Sequence, residues 1–203
     1  MTPNWIWITC PEGLEIEVTT DYLQDDAGVR MALTPAVAQL YADEYEAMLP
    51  TPRIVRRIRE TPAAIHLPFR SVRPIAGESI TAHRLVRVSN EKIEADRAGR
   101  EGLFVDHKKD IVVANILRKK RDKVLIYGAW YKNAVKPVQP LCSVHSKRYA
   151  DYSHGTRLVR KMGRLNGAPV QLAHVLAGLH GSPAAWALSD EGAIDPAHLR
   201  YVV

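Results

Sequence analysis

Residues 5–20 read "WIWITCPEGLEIEVTT", and this stretch indicates how the fold begins. In both halves β-branched and aromatic residues alternate with other types, which is the period-two pattern of strands. Between them "PEG", residues 11–13, supplies the turn. The sequence therefore predicts a β-hairpin, followed after a polar turn by a third strand, "GVRMAL", residues 28–33.

Helix starts are predicted at two Thr-Pro pairs, Thr34–Pro35 and Thr51–Pro52. Each pair places an N-cap residue before a proline, and the first helical turn tolerates a proline because its N–H groups have no partner within the helix. A longer helix is predicted over residues 80–98. Three prolines within residues 61–79 predict an extended connector before it.

The second half mixes strand and helix patterns without a regular βαβ repeat. "KVLIYGAWY", residues 123–131, predicts a buried strand, and "TRLVRKMGRL", residues 156–165, predicts another. "VQLAHVLAGL", residues 170–179, predicts a short helix. We expect an α+β fold with a mixed or antiparallel sheet, several short helices and a single core.

The chain has 203 residues, a length that fits one well-buried core. We expect an N-terminal strand-helix region (1–60), the connector (61–79) and an α+β core (80–203) that carries the site. No apolar run approaches the roughly 18–20 residues that span a bilayer. The first residues also lack the basic segment of a signal peptide. These patterns predict no membrane insertion and synthesis in the cytoplasm.

The charge balance favours an anionic partner. The formal net charge is +6 and the isoelectric point is about 9.4, so a nucleic acid, an acidic membrane surface or an anionic cell-wall polymer would be attracted. The sequence contains neither GxGxxG nor GxxxxGK[ST], which predicts no nucleotide cofactor. Cys10 and Cys142 are far apart and outside any CxxC pattern, which argues against a disulfide framework.

The strongest candidate site is "SVHSKRYADYSHG", residues 143–155. In a loop between strands, His145, Asp151 and His154 could converge on one point. Two imidazoles and a carboxylate would hold Zn²⁺ with one position left for an activated water. Alternatively, Asp151 would orient one histidine as a general base. A third interpretation is a polar loop whose side chains satisfy local backbone groups.

A second cluster, "DHKKD" at residues 106–110, supplies further candidates. His107 would be an additional base or ligand, and Lys108 or Lys109 would contact a substrate anion. The alternative is a solvated corner in which Asp110 caps the element that follows. Arg157 would hold a second anion and Tyr152 would line the cleft. Cys142 is the alternative nucleophile, although a buried thiol more often serves as a small apolar side chain.

Three resemblances bear on function. "VHSKRYADYSHGTRLV", residues 144–159, resembles a family of bacterial and phage-type proteins that share an H-x5-D-Y-S-H-G-x-R-L pattern over about the last hundred residues. "SHGTRL" is similar to the Ser-His-Gly-Cys-x-Arg signature of L,D-transpeptidases, with Thr156 in place of the nucleophilic cysteine. Ser143, His145 and Asp151 resemble the first motif of zinc D,D-carboxypeptidases and endolysins, with the aspartate one position closer. The last two resemblances imply cell-wall chemistry.

From these patterns we expect an endolysin-like hydrolase that acts on peptidoglycan or a similar anionic polymer. Its centre would be His145, Asp151 and His154, with Zn²⁺ as the candidate cofactor. The alternative is a nucleic-acid-binding or virion-associated module without catalysis, in which the basic residues contact phosphates.

Overall fold

The structure is a computed structural model that describes residues 2–201. The helices are α1 (Pro35–Glu44), α2 (Pro52–Glu60), α3 (His83–Arg97), α4 (Leu172–Leu176) and α5 (Ser182–Leu188), with 3₁₀ turns at Asn115–Arg118 and Pro196–His198. The strands are β1 (Trp5–Thr9), β2 (Leu14–Thr19), β3 (Ala47–Met48), β4 (Ala64–His66), β5 (Leu103–Val105), β6 (Lys109–Ile111), β7 (Ile126–Gly128), β8 (Gln139–Cys142), β9 (His154–Gly155), β10 (Val159–Arg160), β11 (Met162–Leu165) and β12 (Ala168–Gln171).

The larger sheet is built around the predicted hairpin, which the structure confirms. Strands β1 and β2 pair antiparallel, with Ile6 opposite Val18. Glu12 and Gly13 turn the chain with positive φ angles of 64° and 68°, within the three residues 11–13 that separate Cys10 from Leu14. The sheet order is β12-β11-β2-β10-β3, with β1 also on β2, and every pairing in it is antiparallel.

The smaller sheet carries the candidate residues. Its order is β8-β7-β6-β9, and β6 and β9 run parallel, with Lys109 in register with His154. Strand β9 is followed within a few residues by β10 of the larger sheet. The segment from 154 to 160 therefore links the two sheets, while β4 and β5 form a separate parallel pair.

One main apolar core fills the space between these elements, and two small satellite clusters flank it. The expected α+β class, with antiparallel and mixed sheets and short helices, is confirmed. Strand β2 of the N-terminal region pairs with β10 and β11, so both ends of the chain build one sheet. The boundaries 1–60, 61–79 and 80–203 stay a prediction. No helix within residues 2–201 has the length and apolar character needed to cross a membrane.

The expected third strand at residues 28–33 is wrong. Only an isolated bridge joins Gln24 and Arg30 there, because the Arg30 side chain is buried in ion pairs with Asp21 and Glu94 instead of alternating on a sheet. The two Thr-Pro helix starts are both present. Of the two threonines, Thr51 accepts a hydrogen bond from Ile54 N at 3.1 Å, whereas Thr34 makes no side-chain cap.

Candidate active site

The predicted stretch 143–155 comprises the loop between β8 and β9 and the strand β9 itself, and Tyr149 lies near its centre. The Tyr149 ring stacks on His145 with the ring centroids 4.0 Å apart. Its edge meets His154 at 5.7 Å, and its hydroxyl donates to Asp151 Oδ2 at 2.8 Å. Thus the structure brings the three predicted residues into one neighbourhood, which we call the Tyr149 cluster (His145, Tyr149, Asp151 and His154).

Asp151 is a buried carboxylate whose two oxygens are both occupied. Oδ1 accepts hydrogen bonds from Ser153 N at 2.7 Å and Ser153 Oγ at 2.5 Å, and Oδ2 accepts the bond from Tyr149. Burial opposes ionisation, but the neighbouring His154 and the hydrogen bonds from Ser153 and Tyr149 lower the pKa of Asp151 below its ordinary value. The carboxylate is therefore ionised at neutral pH.

His154 is fully buried, and neither of its ring nitrogens has a hydrogen-bond partner among the described residues. Buried polar atoms are nearly always paired, so this exception needs an explanation. Burial, together with the nearby cations Lys109 and Lys108, lowers the pKa of His154 to about 4, against the attraction of Asp151. At neutral pH the ring is uncharged and can accept a proton or bind a metal.

The predicted zinc site is not assembled as a three-ligand shell. The Tyr149 ring contacts both His145 and His154. The oxygens of Asp151 accept hydrogen bonds from Tyr149 and Ser153. Within residues 2–201 no group of three or more His, Cys, Asp or Glu side chains is placed to hold a metal ion. Zinc binding stays a prediction.

Lys109 lies beside His154 on the neighbouring strand, because the parallel pairing of β6 with β9 puts the two residues in register. Its ammonium group is 6.0 Å from the centroid of the Phe69 ring, and its side chain is only partly buried. Lys109 is thus the candidate substrate-binding residue that the fold places next to the cluster and leaves accessible to an anion.

His107 belongs to a different network. Its Nε2 lies 3.0 Å from Asp21 Oδ1, and its Nδ1 lies 3.2 Å from Val105 O. Asp21 also binds Arg30. Burial lowers the pKa of His107, although Asp21 opposes the shift. The contacts of His107 tie β5 and β6 to the loop after β2, and its role as a further base or ligand stays a prediction.

The two other predicted contacts, Tyr152 and Arg157, are buried. The Tyr152 hydroxyl accepts a hydrogen bond from Val72 N at 2.9 Å. Arg157 donates to Thr19 O and to Phe104 O, both at 2.6 Å. These contacts hold the connector and the strands together, and the substrate-binding roles of Tyr152 and Arg157 stay predictions. Cys142, the alternative nucleophile, ends β8 half-buried against the main core.

Lys108 and Asp110, both from the "DHKKD" cluster, are buried ionisable residues. The Lys108 amine donates to Tyr152 O at 2.5 Å and to Ser89 Oγ at 3.2 Å. Burial lowers the pKa of Lys108 and raises that of Asp110, each to about 7. Tyr149 was not among the sequence candidates, although its position four residues after His145 is a signal that the two rings can stack across a turn.

A basic surface adjoins the Tyr149 cluster. The loop at residues 118–123, "RKKRDK", is hydrogen-bonded to the loop that carries His145. Lys120 Nζ donates to Ser143 Oγ at 2.8 Å, and Lys147 N donates to Asp122 O at 2.7 Å. We call the two loops together, residues 118–123 and 143–148, the basic surface.

Comparison with known proteins gives no relative from which a function could be transferred: no protein-family model, curated protein or solved structure matches the chain.

Proposed function

We propose that the protein is a hydrolase acting on peptidoglycan or a similar anionic polymer, in the manner of an endolysin. The observation that carries the proposal is His154, a buried neutral imidazole with two unpartnered nitrogens beside an ionised carboxylate. A nitrogen of His154 takes a proton from the attacking water, and Asp151 stabilises the imidazolium that forms. Lys109 and the basic surface draw the anionic substrate towards the cluster.

Access to His154 requires the rings that cover it to move. His145 and Tyr149 lie on an irregular loop and are only partly buried, so their displacement costs less than opening a strand pair. In the proposed mechanism, binding of the polymer to the basic surface displaces the Tyr149 ring and admits substrate and water to His154.

The test is hydrolysis of purified peptidoglycan, measured as the release of soluble fragments. The metal content of the same protein preparation is determined in parallel. We expect His154→Gln to lower the rate of fragment release by at least ~100-fold, because a general base commonly contributes a rate enhancement of that size. His180→Gln, an exposed histidine after α4, is the matched control. The proposal fails if wild-type protein releases no fragments with or without added Zn²⁺, or if His154→Gln matches the control.

The basic surface itself favours a second candidate, a nucleic-acid-binding module. Two hydrogen-bonded loops with side chains from Lys119, Lys120, Arg121, Lys147 and Arg148 offer several phosphate contacts. Such binding would weaken steeply with salt, by roughly one power of salt concentration per phosphate neutralised. Salt-dependent DNA binding without any release of peptidoglycan fragments would favour this alternative.

A further inference from the structure

A second histidine centre lies outside the Tyr149 cluster, at the end of β4. The side chain of His66 is 50% exposed, and its Nδ1 is 2.7 Å from Asp106 Oδ2. A carboxylate oxygen accepts hydrogen bonds, so the contact assigns the ring hydrogen to Nδ1. The other nitrogen, Nε2, then keeps its lone pair.

Asp106 is held firmly in this pair. Its side chain is only 5% exposed, and its second oxygen, Oδ1, accepts a hydrogen bond from Arg59 Nε at 2.8 Å. The Arg59 guanidinium lies over the Trp130 ring at 4.8 Å and stays partly exposed. An imidazole oriented by a buried carboxylate is the arrangement found in general-base catalysis, and here a cation stands beside it.

The backbone at this centre is unusual. Asp106 has a φ of +78° and Ala129 has a φ of +55°, in the left-handed region that non-glycine residues rarely adopt. A hydrogen bond joins the two strained segments: Trp130, which follows Ala129, donates from its backbone N to Asp106 O at 2.9 Å. Strained residues gather at functional sites, where the surrounding structure holds them in place.

A cavity of about 10 Å³ lies behind Asp106, between Arg59, Trp130 and Asp110. That volume holds about one water molecule. Asp110 is part of the same lining, and its Oδ1 is buried and has no hydrogen-bond partner among residues 2–201. Asp106 therefore both contacts the His66 imidazole and lines a space that fits one water.

We propose that His66, Asp106 and Arg59 form a second hydrolytic centre, independent of His154, for esters that carry a carboxylate or phosphate group. His66 Nε2 takes a proton from a water whose oxygen attacks the ester carbonyl. The tetrahedral intermediate then expels the alkoxide, which receives the proton from His66, so that a carboxylic acid and an alcohol leave. Arg59 binds the anionic group of the substrate, and Asp106 is a positioning residue that fixes the tautomer of His66.

The experiment compares the hydrolysis of mono-4-nitrophenyl succinate, an anionic ester, with that of 4-nitrophenyl acetate. We expect wild-type protein to favour the succinate, and His66→Gln to lower that rate by about 100-fold, as loss of a general base does. Arg59→Lys should lower the rate of hydrolysis of the succinate ester more than the rate of hydrolysis of the acetate ester. His83→Gln, at an exposed histidine that begins α3, is the matched control.

A second measurement keeps the proposal testable if a variant fails to fold. Diethyl pyrocarbonate modifies accessible unprotonated imidazoles, and mass spectrometry can compare His66 with His83 in wild-type protein. We expect His66 to react several-fold faster, and Asp106→Asn to remove the advantage. The proposal is overturned if His66 reacts no faster than His83, or if His66→Gln hydrolyses the anionic ester at the wild-type rate.

Discussion

At the scale of single residues, Gly155 shows how tightly the candidate site is packed. A Cβ at this position would lie 2.5 Å from Tyr22 Cδ1 and 2.8 Å from Lys108 Cβ. We therefore expect Gly155→Ala to lower the free energy of unfolding by roughly 1–3 kcal/mol through overpacking. Denaturation in urea measures the effect.

The matched control is Gly77→Ala. At Gly77 nothing lies within 4 Å of an added Cβ, and only the backbone φ of +80° opposes the change, at about 1 kcal/mol. A Gly155→Ala protein as stable as wild type would show that the packing against Tyr22 and Lys108 is looser than described.

Lys108 and Asp110 should make the stability of the protein depend on pH in opposite directions. The pKa of Asp110 is raised from 3.8 to about 7, so folding retains a proton that the unfolded chain loses, and stability falls as pH rises from about 4 to 7. The pKa of Lys108 is lowered from 10.5 to about 7, so stability rises between about pH 7 and 10.5. Together the two pKa shifts predict that the free energy of unfolding has a minimum near neutral pH.

Isosteric substitutions separate the two contributions. Asp110→Asn should flatten the fall in stability between pH 4 and 7, and Lys108→Met should flatten the rise above pH 7, each by on the order of 1–3 kcal/mol across its range. Thermal unfolding at a series of pH values is the measurement. Unchanged slopes in both variants would mean that neither group has a shifted pKa.

At the scale of elements, helix α3 is attached to the loop after β2 through one buried residue. Arg30 donates to Glu94 at 2.7 Å and to Asn90 at 2.8 Å on α3, and pairs with Asp21 on the loop. Removing one partner of a buried ion pair leaves its charges uncompensated. We expect Arg30→Ala to lower the free energy of unfolding by roughly 3–5 kcal/mol.

Arg70→Ala is the control, because Arg70 lies before α3 and pairs with Asp96 of that helix. Arg70 pairs with Asp96 at 2.8 Å, but its side chain is half exposed, and such surface pairs contribute about 0–1 kcal/mol. Equal losses of stability in the two variants, measured by chemical denaturation, would contradict the role of Arg30 as the anchor of α3.

How well an element could be predicted depended on how local its determinants are. The Thr-Pro starts of α1 and α2 were predictable because cap and proline adjoin in sequence. The segment around Arg30 was not, since its partners Asp21 and Glu94 lie 9 and 64 residues away and override the strand pattern of residues 28–33.

At the scale of the whole molecule, the same distinction applies to the candidate site. The proximity of His145, Asp151 and His154 was predictable because all three lie within ten residues of one another in the sequence. The position of Lys109 next to His154 depends on the parallel pairing of β6 with β9, which no local pattern encodes. His66 and Asp106 were likewise not recognised as a pair, because the pairing of β4 with β5 brings them together.

The segment that links the two sheets has a consequence for heat inactivation. Arg157 lies three residues after His154. It donates hydrogen bonds to the backbone oxygens of Thr19, at the end of β2, and Phe104, in β5. Because β9 and β10 flank this residue, the position of His154 depends on both sheets. We expect loss of the proposed hydrolytic activity and loss of tertiary circular dichroism to share one midpoint on heating, so that an assay of that activity at each temperature would follow global unfolding.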